Sequence, residues 1–167
     1  MKPANAETYR RATLELAAQL QPVVLVEVGV YAGALSRMFA TLHSIERQVI
    51  VDSWEAGYSR FSQEHMDGIA DDVMGWAKLQ RCVEVLRMRS EDAAPLFADG
   101  SIDFFHTDGD HSIGGITSDI TLWLPKVRPG GIISGDNYEA PTVAMAVDAL
   151  LPHRQLAANG RLWWART

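Results

Sequence analysis

Short runs rich in β-branched residues alternate along this chain with segments of helical period, and that alternation leaves few architectures open. Val23–Val28, Gln48–Val51, Ile102–Thr107 and Gly131–Ser134 are too short for stable helices and read as buried strands, with Cys82–Met88 a further extended stretch. Between them, Thr8–Leu20, Gly33–Leu42, Gly68–Leu79, Ile116–Val127 and Pro141–Leu150 carry helical spacing, and Glu91–Phe97 suits a short helix. Gln155–Ala157 and Leu162–Ala165 flank Asn159-Gly160, a turn pair that predicts a terminal hairpin. Strands separated by helices imply parallel pairing with helices on both faces. The predicted fold class is therefore α/β: a doubly wound, mostly parallel seven-stranded sheet ending in an antiparallel hairpin. With 167 residues, no repeat and no linker-like stretch, residues 1–167 are expected to form a single domain.

Composition excludes partners more than it identifies them. The formal net charge is −6, and the densest basic cluster, Arg81, Arg87 and Arg89, is interleaved with acids, so nucleic acid is disfavoured as a partner. No apolar run approaches the ~20 residues that span a bilayer, so no membrane partner is expected. The first twenty residues lack the apolar core and small-residue cleavage site of a secretory signal, and Cys82 has no second cysteine to pair with. A cytoplasmic location is the resulting expectation.

In doubly wound sheets ligands bind beyond the carboxyl ends of the strands, so the residues after each strand carry the functional signal. The first strand runs into Glu27-Val28-Gly29-Val30-Tyr31-Ala32-Gly33. Two glycines spaced in this way, with an acid before them, lack the third glycine of the dinucleotide fingerprint. The acid disfavours pyrophosphate and suits a ligand with a cationic amino group; an ordinary strand-to-helix turn is the alternative. Asp52 ends the second strand, where a carboxylate can accept hydrogen bonds from the vicinal hydroxyls of a ribose, with Ser53 beside it. Ser90-Glu91-Asp92 either caps a helix or meets the ligand, and both roles are compatible.

The densest constellation follows the fourth and fifth strands. Asp108 ends one, Asp136-Asn137 ends the next, and neighbouring parallel strands would bring the three together. Two carboxylates and an amide oxygen form a hard-oxygen set that suits Mg²⁺ better than zinc, unless Asn137 and the nearby Asp110 merely satisfy turns. His111, three residues past Asp108, offers an imidazole able to act as a base near neutral pH, or a helix cap. His106 lies mid-strand, where core packing is the expectation. The aperiodic segment Ser53–Met66, with Trp54, Tyr58 and Phe61, suits either a flap over the site or a homodimer contact.

With these residues assembled, the chain resembles the class I methyltransferases over nearly its full length. Glu27-x-Gly29-x-x-x-Gly33 is similar to their first cofactor motif and Asp52 to the acid after their second strand. The stretch Ile102–Tyr138 resembles a bacterial family that includes macrolide sugar O-methyltransferases, and catechol O-methyltransferase is a more distant likeness. The resemblance implies S-adenosylmethionine as cofactor, its methionine end against Gly29, Tyr31 and Gly33, its ribose on Asp52 and its adenine near Ser90 and Glu91. It further implies Mg²⁺ held by Asp108, Asp136 and Asn137, with His111 as general base. The acceptor would be a small hydroxylated molecule; the alternatives are a metal-independent methyltransferase, in which Asp108 and Asp136 only shape the pocket, and a non-catalytic cofactor-binding partner subunit. Catechol-type enzymes carry a lysine where this chain has His111, so the base follows the sugar-modifying relatives.

Overall fold

A computed structural model describes the backbone of residues 3–58 and 61–167 and the side chains of 6–57 and 61–167. Seven strands form one sheet: β1 (Val24–Val28), β2 (Arg47–Val51), β3 (Val83–Leu86), β4 (Ile102–Thr107), β5 (Val127–Gly135), β6 (Gln155–Ala157) and β7 (Leu162–Arg166). Their order is β3-β2-β1-β4-β5-β7-β6, parallel from β3 to β5 and antiparallel at β5–β7 and β7–β6. Among the described residues six α-helices accompany it: α1 (Pro3–Leu20), α2 (Ala34–Phe39), α3 (Gln63–Ala77), α4 (Ser90–Ala93), α5 (Ile113–Trp123) and α6 (Pro141–Leu150). The mostly parallel seven-stranded sheet with its terminal hairpin is the architecture the sequence predicts. Among the described residues no helix is long and apolar enough to cross a membrane.

Both faces of the central strands are covered. Val26, Phe105, Ile133 and Trp163 pack with Ile116, Ile120 and Trp123 of α5 on one side, while Leu25, Phe104 and Ile132 pack with Tyr9 and Ala17 of α1 on the other. Burial on both faces explains why these strands read as continuous apolar runs rather than alternating ones. Several boundaries differ from the sequence expectation, two of them for a clear physical reason. α5 ends at Trp123 because Pro125 follows in a 3-10 turn, which frees Val127 to begin β5. α3 begins at Gln63, with the Ser62 hydroxyl accepting from the His65 amide, so the predicted aperiodic segment is partly helical.

Trp54 is fully buried, among Val30, Ile50, Ala70 and Val73, and its indole N–H donates to the Tyr31 carbonyl at 2.9 Å. It belongs to the core rather than to a flap or a dimer contact. Phe61 stacks on Tyr31 and on His65, with ring centroids 6.1 and 4.5 Å away. The Tyr58 side chain lies outside the described residues.

One buried polar chain docks α1 on the sheet. The Tyr9 hydroxyl donates to His106 Nε2, His106 Nδ1–H donates to Ser134 Oγ at 3.0 Å, and the Ser134 hydroxyl donates to the Phe105 carbonyl at 2.9 Å. Each group has one use, which fixes His106 as the neutral Nδ1–H tautomer. Burial pushes its pKa down to about 4, consistent with the expected packing role. Tyr9→Phe removes the donor and strands a buried imidazole nitrogen, so the unfolding free energy should fall by about 1–3 kcal/mol. Urea denaturation near pH 7.5, with an unchanged m-value, is the check.

Candidate active site

A cavity of about 530 Å³ opens at the carboxyl ends of β1 to β4, centred where the chain order reverses between β1 and β4. Gly29 makes this cavity possible. Its φ is +82°, and a Cβ there would overlap the backbone of Asp108 and Gly109. The Asp108 amide donates to the Val28 carbonyl at 2.8 Å and the Gly29 amide to the Val51 carbonyl at 3.0 Å, so three strand ends meet at this glycine.

Of the residues singled out from the sequence, Gly29, Tyr31, Asp52, Ser53, Ser90, Glu91, Asp108 and His111 line the cavity. Asp52 joins its two edges: Oδ2 accepts from the Tyr31 amide and Oδ1 from the Trp54 amide, each at 2.8 Å. Both N–H groups come from residues with positive φ, 49° at Tyr31 and 50° at Trp54, so the carboxylate pins two sharp turns. Each oxygen keeps a lone pair for a ligand hydroxyl.

At the opposite wall stands Asp119, which sequence reading did not single out. It is 5% exposed, accepts from Ser90 Oγ and Thr107 Oγ1 at 2.5 Å each, and lines the cavity. Ser90 also accepts from the Trp123 indole N–H at 2.8 Å, so Ser90 is held from α5 rather than acting as a helix cap. Burial raises the Asp119 pKa. Its place on α5 gives it no local signal; only the tertiary fold brings it under Ser90.

Glu27 and Gly33 sit behind the cavity wall. The Glu27 carboxyl is 2% exposed and accepts from the Ser36 hydroxyl at 2.6 Å, and burial raises its pKa to about 8. Gly33, at φ +70°, lies against Val73 and opens α2.

The remaining cluster joins the ends of β4, β5 and β7. His111 Nε2 lies 3.1 Å from Asp108 Oδ1, and this hydrogen bond raises the imidazole pKa above its ordinary value. Asn137 Nδ2 lies 3.1 Å from His111 Nδ1, where it donates to the neutral ring. Asp136 is 1% exposed and accepts from Arg161 Nη2 in a buried ion pair; burial, opposed by that pair and reinforced by Asp108, lifts its pKa to about 6. Arg161 was missed in the sequence because its partner lies 25 residues away across the sheet. Among the described residues no three His, Cys, Asp or Glu side chains are grouped to hold a metal ion. A smaller cavity of about 160 Å³ beside Arg161 is lined by Thr8, Glu139, Ala158 and Asn159.

A family model described as a methyltransferase domain matches residues 26–138, which contain every residue that lines the larger cavity. Among solved structures, the O-methyltransferase TomG from Streptomyces achromogenes, involved in tomaymycin synthesis and in complex with SAM, is 17% identical. It aligns with a TM-score of 0.66 over 95% of this chain and 79% of its own. An O-methyltransferase from Bacillus cereus in complex with SAH is 16% identical, with a TM-score of 0.64 over 100% of this chain and 82% of its own. The O-methyltransferase NovP is 18% identical, with a TM-score of 0.68 over 94% and 79%. A comparison with curated proteins returns no match.

Glu27 yields a prediction with a definite sign. Folded, its carboxyl keeps its proton up to about pH 8; unfolded, it loses it near 4.5. The stability this group contributes is therefore full at low pH and is lost as pH rises towards 8. His106 acts oppositely, but only between about 4 and 6.5. Unfolding free energy should thus fall from pH 6.5 to 8, with His111 adding to the decline, and Glu27→Gln should flatten much of it. Denaturant titrations across that range test this; an unaltered slope in the variant would show Glu27 is already ionised.

Proposed function

The chain belongs to the methyltransferase-domain family, and from that premise we propose that it transfers a methyl group from S-adenosylmethionine to a hydroxyl oxygen of a small molecule. One observation carries the reading: a carboxylate suited to a ribose, Asp52, and an Asp108–His111 pair line the same cavity.

The donor set fits the nucleoside. Its volume, about 530 Å³, lies within the usual range for a small-molecule site. Asp52 has lone pairs for two ribose hydroxyls, and Ser90 and Glu91 stand where the adenine would reach. Tyr31 and the Gly29 turn would face the methionine end, with Glu27 supplying a titratable carboxyl from behind. When bound, S-adenosylmethionine supplies an activated methyl on a sulfonium centre.

The protein's own contribution is alignment and proton removal. Neutral His111 donates Nε2–H to Asp108 and accepts at Nδ1 from Asn137. An acceptor hydroxyl reaches Nδ1 by displacing the Asn137 amide, and its proton moves to that nitrogen as oxygen attacks carbon. Asp108 stabilises the imidazolium so formed. The Mg²⁺ expected at Asp108, Asp136 and Asn137 does not fit these side chains as they stand. Asp136 is spent on Arg161, and Asp108 and Asn137 both hold His111. Orientation of the acceptor is therefore assigned to hydrogen bonds from these residues. The net charge of −6 supports a small acceptor over nucleic acid.

Calorimetry with S-adenosylhomocysteine should show one saturable site, weakened at least about tenfold by Asp52→Ala. In a screen of small hydroxylated compounds with methyl-labelled S-adenosylmethionine, label should appear on oxygen. His111→Gln should lower turnover by about 10²–10⁴-fold while leaving S-adenosylhomocysteine affinity nearly unchanged. The pH–rate profile should rise through a value above 6.5, because Asp108 holds the proton on His111, and Asp108→Asn should move that limb down. No binding of S-adenosylhomocysteine, or label on nitrogen or carbon alone, would overturn the reading.

A further inference from the structure

We infer that a buried guanidinium, Arg161, neutralises the Asp136 carboxylate that the sequence resemblance assigns to Mg²⁺, so that this cluster takes no divalent cation. The inference rests on the methyltransferase reading for its meaning but on separate observations for its support.

Arg161 stands at the start of β7, and several contacts fix it. Its amide donates to the Ala158 carbonyl at 3.2 Å, and its own carbonyl accepts from the Tyr138 amide at 3.0 Å. This ties the loop after β5 to the terminal hairpin. Its guanidinium lies over the Tyr9 ring, 5.0 Å from the centroid, and that ring is itself anchored by His106. Nη2 donates to Asp136 Oδ2, and Nη1 lies 3.6 Å from the exposed Glu139. The Arg161 and Asp136 side chains are 8% and 1% exposed, so neither charge can be left to water.

Each of the three expected metal ligands already serves another group. Asp136 neutralises Arg161, while Asp108 and Asn137 position His111 from two sides. Asp136 Oδ1 has no partner, which could suggest room for a cation. Arg161 Nε, however, is equally buried and equally without a partner. An acceptor and a donor left over on the same two side chains satisfy each other when the contact becomes the bidentate one that guanidinium and carboxylate favour. A dication at Oδ1 would instead face a fixed positive charge across one carboxylate, in a buried setting that screens it poorly.

This assignment also narrows the acceptor. A chelated metal selects molecules with two adjacent oxygens, whereas His111 on the cavity wall needs only one hydroxyl within reach.

The test uses Mn²⁺, a paramagnetic ion that hard-oxygen sites take as readily as Mg²⁺. Titrated into the full chain with S-adenosylhomocysteine present and followed by electron paramagnetic resonance, Mn²⁺ should show no saturable site up to about 1 mM. The melting temperature should likewise be the same in EDTA and in excess Mg²⁺. Arg161→Met should free Asp136 and strengthen Mn²⁺ binding at least about tenfold, an increase that a further Asp136→Asn substitution abolishes. Tight Mn²⁺ binding by the unaltered chain that Asp136→Asn removes would overturn the inference, as would a folded Arg161→Met protein that gains no site. Should Arg161→Met not fold, the wild-type titration decides the question alone. Failure to bind S-adenosylhomocysteine would count against the methyltransferase reading and leave the metal result standing.

Discussion

The backbone of Gly29 lies so close to Asp108 and Gly109 that any side chain at that position would drive the two turns apart. The site depends on this contact. It brings the end of β1 against the end of β4 at the point where the chain reverses its order across the sheet. The turn it permits carries Tyr31, whose amide is caught by Asp52 from β2, and the strand end it meets carries Asp108, which holds His111. One missing methyl group thus places Asp52 and the Asp108–His111 pair on the rim of a single cavity. A glycine in this place is usually credited to close approach of the ligand; here close approach of two protein segments already requires it.

Around that contact the protein buries carboxyl groups at some cost, and each is tied to a different neighbour. Glu27 takes the Ser36 hydroxyl, Asp119 takes Ser90 and Thr107, and Asp136 takes Arg161. Isolated buried charge is expensive, whereas a charge or a proton-bearing carboxyl with fixed partners can be kept in place. These bonds share a consequence: each joins two different elements of the fold at or behind the cavity. Asp119 links α5 to the ends of β3 and β4, and Arg161 links β7 to β5. The floor of the cavity is therefore cross-braced by polar contacts rather than by packing alone, which suits groups that must be held in direction as well as in place.

Much of this was legible in the sequence, for reasons particular residues make clear. Ile102–Thr107 and Pro141–Leu150 fall at the predicted boundaries because each carries its own punctuation: a polar turn before the strand, and a proline at the first helical position. Asp52, Asp108 and His111 could be found because strand ends are where ligands meet such a sheet. What escaped was long-range. Arg161 and Asp119 look like ordinary residues in a hairpin and a helix until the sheet brings Asp136 and Ser90 beside them. Trp54 was misjudged for the opposite reason. Its polar neighbours hide the fact that β2 delivers it inward, and a backbone turn at positive φ completes the burial.

The cavity's charge bears on which nucleoside can enter. Asp52, Glu55, Glu91, Asp108, Asp110 and Asp119 all line it, and Arg89, the guanidinium on the same wall, is paired with Glu55 at 2.7 Å. A dinucleotide would place two phosphate charges among these carboxylates. The helix after the glycine turn would not receive them either: α2 is six residues long, and its first turn follows Gly33, which does not line the cavity. The same sheet in other hands binds pyrophosphate at this position through a glycine-rich turn. Here Asp52 stands in front of the turn with Glu55, Glu91 and Asp108 on the same cavity wall, which favours a nucleoside with no phosphate. That preference agrees with the proposed S-adenosylmethionine and runs against a nicotinamide dinucleotide, on the grounds of charge and of the missing third glycine.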